Sequence, residues 1–283
     1  MPPVPAPTKL RSMTTILRAY ASSRYGQLHY RIAVPQGPVT APPLLCLHQT
    51  PSNGYEWTPL IPGLARDRVV IAPDTPGYGN SDAPPAPASI PDFAGVVQAL
   101  MDDLAAQGVI AGGAFDVMGA HTGSIIATHL AVTDARVRRL VLFGLAAYPA
   151  QERERRLADL LAKFPRPGPT LAHVEALWAI FGELGDARMT AEDRHVGMAE
   201  CLRLGTRMPW AYQAVYRYDF EGALDRVENP TLIVNPEDDL CEPTRRAAPR
   251  LRHGELWELP GKAHGFLKFD GDMVVERIRQ FLA

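Results

Sequence analysis

The stretch from Phe115 to Ser124, read F-D-V-M-G-A-H-T-G-S, constrains this chain more tightly than any other. Phe115, Val117 and Met118 form a short apolar run of the kind buried as a strand. Residues 125–132 form an apolar, Ala-rich run that reads as a helix. A strand that turns sharply into a helix crowds its own backbone, so small residues are needed two before and two after the apex. Gly119 and Gly123 hold those positions around His121. The frame is that of G-x-S-x-G, in which the apex side chain stands above a sheet beside a helix N-terminus. Here histidine occupies the apex where serine is expected.

The rest of the chain supports such a turn. Residues 14–21 and 27–34, joined through Arg24-Tyr25-Gly26, read as an N-terminal hairpin. The apolar runs 44–47, 69–72, 140–143 and 231–234 have the character of strands buried on both faces. Helices are expected over 91–107, after the apex, over 243–251 and at the C-terminus, with a last strand over 255–259. Ser52 is placed to cap a further helix carrying Tyr55, Trp57 and Leu60. This alternation predicts an α/β architecture, a mostly parallel central sheet flanked by helices.

Between Tyr148 and about Leu224 the strand signal disappears, and 151–164, 171–184, 191–204 and 209–223 read as helices. An insertion after a strand ending near Phe143 sits over the sheet edge where ligands bind. Most aromatic rings of this stretch are expected to form its own core. Trp178, Phe181, Trp210, Tyr212 and Tyr216 are the candidates to line a mostly apolar pocket. The expected division is a flexible Pro-rich tail at 1–13, a core at 14–147 and 225–283, and a helical cap at 148–224.

Composition narrows the partners. With 46% hydrophobic residues, 21% charged and a net charge of −2, nothing in the balance calls for nucleic acid or an anionic membrane. No apolar run is long enough to span a bilayer, and the Pro-rich start lacks the apolar core of a secretory signal. Cys46, Cys201 and Cys241 are odd in number without C-x-x-C spacing, which fits a reduced, cytoplasmic protein. Composition does not define an oligomeric state.

Four motifs in order resemble the α/β-hydrolase superfamily, over nearly the whole chain from Tyr20 onward. L-L-C-L-H-Q-T-P (44–51) resembles its oxyanion loop, usually His-Gly-x-Pro, with Gln49 replacing glycine. A-P-D-T-P-G-Y-G-N-S-D (72–82) resembles its D-x-x-G-x-G-x-S turn. N-P-E-D-D (235–239) stands in place of the acid loop, which matches Asp239 to the triad acid. P-G-K-A-H (260–264) matches the loop of the triad histidine. The order nucleophile, acid, histidine is also the superfamily order. The resemblance implies the α/β-hydrolase fold with a helical cap, and histidine at the nucleophile position is the departure.

The roles also follow from chemistry. Asp239 beyond one strand and His264 beyond the next can form a carboxylate–imidazole pair working near neutral pH, with Asp238 and then Glu237 as alternative acids. The backbone N–H groups of Thr50 and Thr122 are candidates to hold an anionic oxygen. His48 reads as a brace of the oxyanion loop. His121 can be a nucleophile, a second acid or base, or one ligand of a two-His, one-carboxylate metal site with His264 and Asp239. The expected function is cofactor-free, ester-type hydrolysis of a small, partly apolar carbonyl compound. A lyase or proton-transfer reaction on the same fold, or a catalytically silent ligand-binding protein, are the alternatives.

Overall fold

Leu44–Leu47 and Val70–Pro73 are buried at every position, which a strand can be only when both faces of its sheet are covered. The computed structural model describes residues 14–283, and the expected tail at 1–13 falls outside the described residues. Eight strands form one sheet: β1 (Leu17–Ser23), β2 (Gly26–Ala33), β3 (Leu44–Leu47), β4 (Val70–Pro73), β5 (Phe115–Ala120), β6 (Val137–Phe143), β7 (Thr231–Pro236) and β8 (Gly254–Leu259). Their spatial order is β1-β2-β4-β3-β5-β6-β7-β8. The pairs β1/β2 and β2/β4 are antiparallel and all others parallel. Leu47 therefore aligns with Gly119, Ala120 with Phe143, and Phe143 with Val234, so the C-terminal ends of β3, β5, β6 and β7 share one edge.

Alternate residues of each strand feed two cores. Leu45, Val117, Leu140 and Ile233 pack beneath α2 (Ile90–Ala106) and α3 (Thr122–Thr133), with Phe93, Val97 and Ile125. Cys46, Met118, Val141 and Leu232 face Trp57, Ile61 of α1 (Ile61–Leu64), and Val274 and Ile278 of the C-terminal helix. The buried Asp74 pins the turn after β4: it accepts from the backbone N–H of Gly54 (2.8 Å) and Asn80 (2.9 Å), and its carboxylate meets His29 Nδ1 at 2.8 Å.

Five helices lie between β6 and β7: α4 (Ala150–Lys163), α5 (Ala172–Leu184), α6 (Ala191–Leu204), α7 (Trp210–Arg217) and α8 (Phe220–Leu224). The single helix expected over 209–223 is two, because Tyr218 is extended (φ −88°, ψ 137°) and Asp219 caps α8 by accepting from Gly222 N–H. Ser52 likewise caps nothing. Asn53 accepts from Tyr55 N–H at 2.9 Å to start a short 3₁₀ turn, Gly54–Trp57, and the following helix α1 has only one turn. The helical layer is tied to the sheet by polar contacts. Tyr78 Oη donates to Met208 O at 3.3 Å and accepts from Ala211 N–H at 2.9 Å, and Tyr212 Oη donates to Thr50 O at 2.8 Å. After β7 come α9 (Cys241–Ala247), β8 and α10 (Leu267–Leu282). Among the described residues no helix is long and apolar enough to cross a membrane, and all three thiols are buried and unpaired.

Candidate active site

Close approach of three backbones explains the two glycines of the elbow. A Cβ on Gly119 would lie 2.2 Å from Gly123 O, and one on Gly123 would lie 2.0 Å from Leu47 O. His121 between them has φ 50° and ψ −106°, and among the described residues it is the sole non-glycine with positive φ. Such a backbone costs of order 1–3 kcal/mol and persists only where its surroundings over-determine it. They do: His121 N–H donates to Phe143 O at 2.8 Å, and His121 O accepts from Ser124 N–H at 3.0 Å. Ser124 turns its hydroxyl into the fold, onto the carbonyls of Gly119 (2.8 Å) and Phe143 (3.0 Å). The imidazole is thus held at the apex by the sheet itself.

Two adjacent acids after β7 diverge to two different imidazoles. His121 Nε2 lies 3.0 Å from Asp238 Oδ2, and His264 Nε2 lies 2.8 Å from Asp239 Oδ1. The two rings face each other with centroids 5.0 Å apart and planes at 57°. Asp239 thus meets His264, as the sequence assigns it. Asp238, considered there only as a substitute for Asp239, has a partner of its own. Its second oxygen accepts from Leu240 N–H at 2.8 Å, which fixes the carboxylate. Glu237 belongs to neither pair; its carboxylate accepts from Gly261 N–H at 2.7 Å and braces the acid loop against the His264 loop.

The surroundings shift one group in each pair. Burial works against a charged His121, but the Asp238 hydrogen bond and the charges of Asp238, Asp239 and Glu56 outweigh it and hold the ring above the ordinary imidazole range. Burial pushes Asp239 up, yet the His264 hydrogen bond and the nearby imidazoles bring it down to about 2. No sequence motif points to Glu56. Burial pushes its carboxyl up to about 7 against the pull of Ser52, Gln49 N–H and His121. One oxygen of Glu56 takes Gln49 N–H at 3.4 Å and the other is buried without a partner. No spacing marks this residue; it arrives under His121 only because the loop after β3 folds back.

His48 braces that loop. Its Nδ1 donates to Gln49 O at 2.7 Å, while Nε2 accepts from Thr75 N–H at 2.9 Å and lies 3.0 Å from the Thr75 hydroxyl. Thr50 and Thr122, both buried, border the same cavity, and Thr122 opens α3, where an amide has no intrahelical acceptor. This places both threonines beside the imidazoles; their amide roles belong to the reaction proposed below.

A cavity of about 580 Å³ lies over His121, Thr122, Asp239 and His264. Phe181, Tyr212 and Tyr216 line it, together with Tyr148 and Phe164. Trp178 and Trp210 do not. On α5 the cavity-facing residues are Leu177, Ile180, Phe181 and Leu184, and on α7 Tyr212, Val215 and Tyr216, all at helical spacing. Trp178, one residue along from Leu177, is rotated to sit under the Arg194 guanidinium, 4.9 Å from its ring centroid. Trp210 faces a smaller cleft of about 210 Å³ beside Pro165 and Gln213. The rim is more polar than the aromatic pattern suggests, because α4 contributes Arg156, Asp159 and Lys163.

A strained strand–helix elbow, an acid loop and a histidine loop on one sheet edge define an α/β protein of the hydrolase type. A family model for the alpha/beta hydrolase fold matches residues 42–166. RutD of Rhizobium rhizogenes, which carries the name of a carbamate hydrolase, is 26% identical over 213 residues, 71% of this chain and 76% of that protein. Two solved structures share the fold. The enol-lactonase from Burkholderia xenovorans has a TM-score of 0.72 and 20% identity, covering 93% of this chain and 99% of its own. Epoxide hydrolase A from Mycobacterium thermoresistibile has a TM-score of 0.73 and 20% identity, covering 95% and 98%. The chain has the α/β-hydrolase fold. It is an enzyme similar to hydrolases of that fold, and its elbow carries a histidine.

Proposed function

We propose that this enzyme hydrolyses an ester-type bond of a small, partly apolar carbonyl compound without a cofactor, using His264 as base and His121 as acid. The observation that carries the reading is the pair of facing imidazoles, each with its own carboxylate, beside a cavity lined in part by Phe181, Tyr212 and Tyr216. The Asp238 contact favours a proton on His121, and a ring that holds its proton has no lone pair for attack, so this reading takes water as the direct nucleophile. The ring would also reach beyond the position of a serine oxygen, where an oxyanion site set for serine is misplaced.

In this mechanism His264 takes a proton from water, and Asp239 stabilises the resulting imidazolium. The water oxygen attacks the carbonyl carbon, and the carbonyl electron pair moves to oxygen. That oxyanion is held by the Thr50 and Thr122 amides and by the His121 charge. The bond to the leaving group then breaks, and the departing atom takes the proton of His121. The proton left on His264 returns to His121 through a water between the rings, restoring both groups. The names carried by similar proteins, a carbamate hydrolase and an enol-lactonase, support acyl transfer to water. Buried, unpaired thiols suit a reducing compartment, and we place the protein in the cytoplasm.

The test is turnover of short-chain 4-nitrophenyl esters and small lactones, with intact-mass analysis of enzyme quenched during turnover. Hydrolysis without an acyl adduct is the expected result. An adduct on His121 would replace the acid role by nucleophilic catalysis. Tight ligand binding with no turnover of any ester or lactone would favour a silent binding protein.

A further inference from the structure

We propose that His121, His264, Asp238 and Asp239 together form a binding site for a divalent transition ion of the Zn²⁺ type. One nitrogen or oxygen of each residue lies within 4.8 Å of all the others. A tetrahedral ion with bonds of about 2.0–2.1 Å sets its ligands roughly 3.4 Å apart. The contacts His121–Asp238 (3.0 Å) and His264–Asp239 (2.8 Å) already lie inside that spacing. The remaining separations close by side-chain torsions, which the outer pair permits, since Asp239 is half exposed and His264 lies next to Gly265.

The donor set selects the ion. Two imidazoles and two carboxylates suit zinc and its first-row neighbours, whereas magnesium and calcium take oxygen ligands almost alone. The two carboxylates cancel the charge of a divalent ion and neutral imidazoles add none, so the filled site carries no net charge. Outer partners are in place: Leu240 N–H orients the Asp238 carboxylate, and the backbone of His121 is held by Phe143 O. Three of the four residues border the cavity, which supplies an entry path.

Occupancy has a consequence that rests on the reaction proposed above. A neutral imidazole has one lone pair, and a ring that gives it to a metal can neither accept a proton from water nor cycle as an acid. Binding of the ion therefore shuts off the acid/base reaction.

The experiment titrates metal-stripped full-length protein with Co²⁺, read by its visible absorption, and with Zn²⁺, read by calorimetry. One ion per chain at micromolar concentration with a tetrahedral Co²⁺ band is expected. Asp238→Asn and His264→Ala each remove a ligand and should each abolish micromolar binding while leaving the circular dichroism unchanged. Failure to bind at micromolar concentration overturns the site, as does binding that both substitutions leave intact. Esterase activity is followed in the same titration and is expected to fall with the binding midpoint and return with a chelator. Stoichiometric binding that leaves turnover untouched upholds the site and overturns the shut-off, together with the acid/base reading on which it rests.

Discussion

The two imidazole–carboxylate pairs use the same chemistry in unequal surroundings. In the inner pair the side chains of His121 and Asp238 are 15% and 2% exposed, whereas in the outer pair those of His264 and Asp239 are 23% and 50% exposed. The inner ring sits on a strained residue locked between β5 and α3. The outer ring hangs from a loop that touches the helical layer through Asp186 N–H, which donates to His264 O at 2.8 Å. A buried carboxylate beside an imidazole favours a proton on that ring. The proposed reaction rests on this contrast when it takes His121 as acid and His264 as base.

Removing the rings should have the largest effect. His264→Ala and His121→Ala are each expected to lower kcat/KM by about 10²- to 10⁴-fold, the usual range for a general acid or base. The double variant should lose little more than the worse single one, because the two groups act in one cycle. Unchanged turnover in either single variant, measured on the same ester, breaks the comparison.

His121→Ser comes next, because it restores G-x-S-x-G beside the outer pair. Slow ester hydrolysis with phosphonate labelling at position 121 is expected, and the native protein should not be labelled at the elbow. The gain is held down by about 10²-fold, since a site shaped around imidazole positions the shorter side chain poorly. A folded variant with neither labelling nor hydrolysis would mean that Thr50, Thr122 and the Asp239–His264 pair do not assemble as a hole and base.

Titration then separates the pairs by sign. His121 has a folded-state pKa above its unfolded value, so its stabilising contribution is complete below about pH 6.5 and is lost as pH rises through the raised value. Activity that needs its proton falls over the same alkaline range. Asp239 is the opposite case: its contribution is complete above the ordinary carboxylate value of 3.8 and is lost as pH falls toward about 2. Asp238→Asn should therefore move the alkaline limb of the activity profile to lower pH, and Asp239→Asn should erase part of the acid-side stability. Thermal melts and kcat/KM profiles of the two variants check this, and identical profiles would show that the pairs are not distinct.

The smallest expected effect comes from Glu56, which faces only the inner pair. Its carboxyl moves from an ordinary 4.5 to about 7, so between those values the folded chain keeps a proton that the unfolded chain has released. Stability should decline as pH rises through that window, and Glu56→Gln should flatten the decline. The same substitution removes a negative charge near His121 and shifts the alkaline limb slightly downward. A limb that moves upward would place Glu56 outside the electrostatics of the site.

Local sterics and local pattern made much of this legible from residues alone. Two glycines flanking His121 announce a turn whose backbones meet within van der Waals distance, because that crowding is decided within a few residues. Apolar runs of four bounded by loops announce strands covered on both sides, and their alternation with helices announces the sheet. The order of elbow, acid loop and histidine loop placed Asp239 with His264. Other features depended on elements distant in sequence. Asp238 and Asp239 are neighbours that diverge, and which one meets the apex depends on where β6 and β7 end relative to β5. Trp178 and Trp210 look like pocket residues by type, yet helix rotation against the sheet turns them away. Glu56 acquires its buried carboxyl and its influence on His121 from a loop that packs under the elbow. Spacing along a chain governs what one backbone can do with itself, and so the turn was readable. The partner of each imidazole is settled by side-chain directions from separate elements, and only their packing brings those directions together.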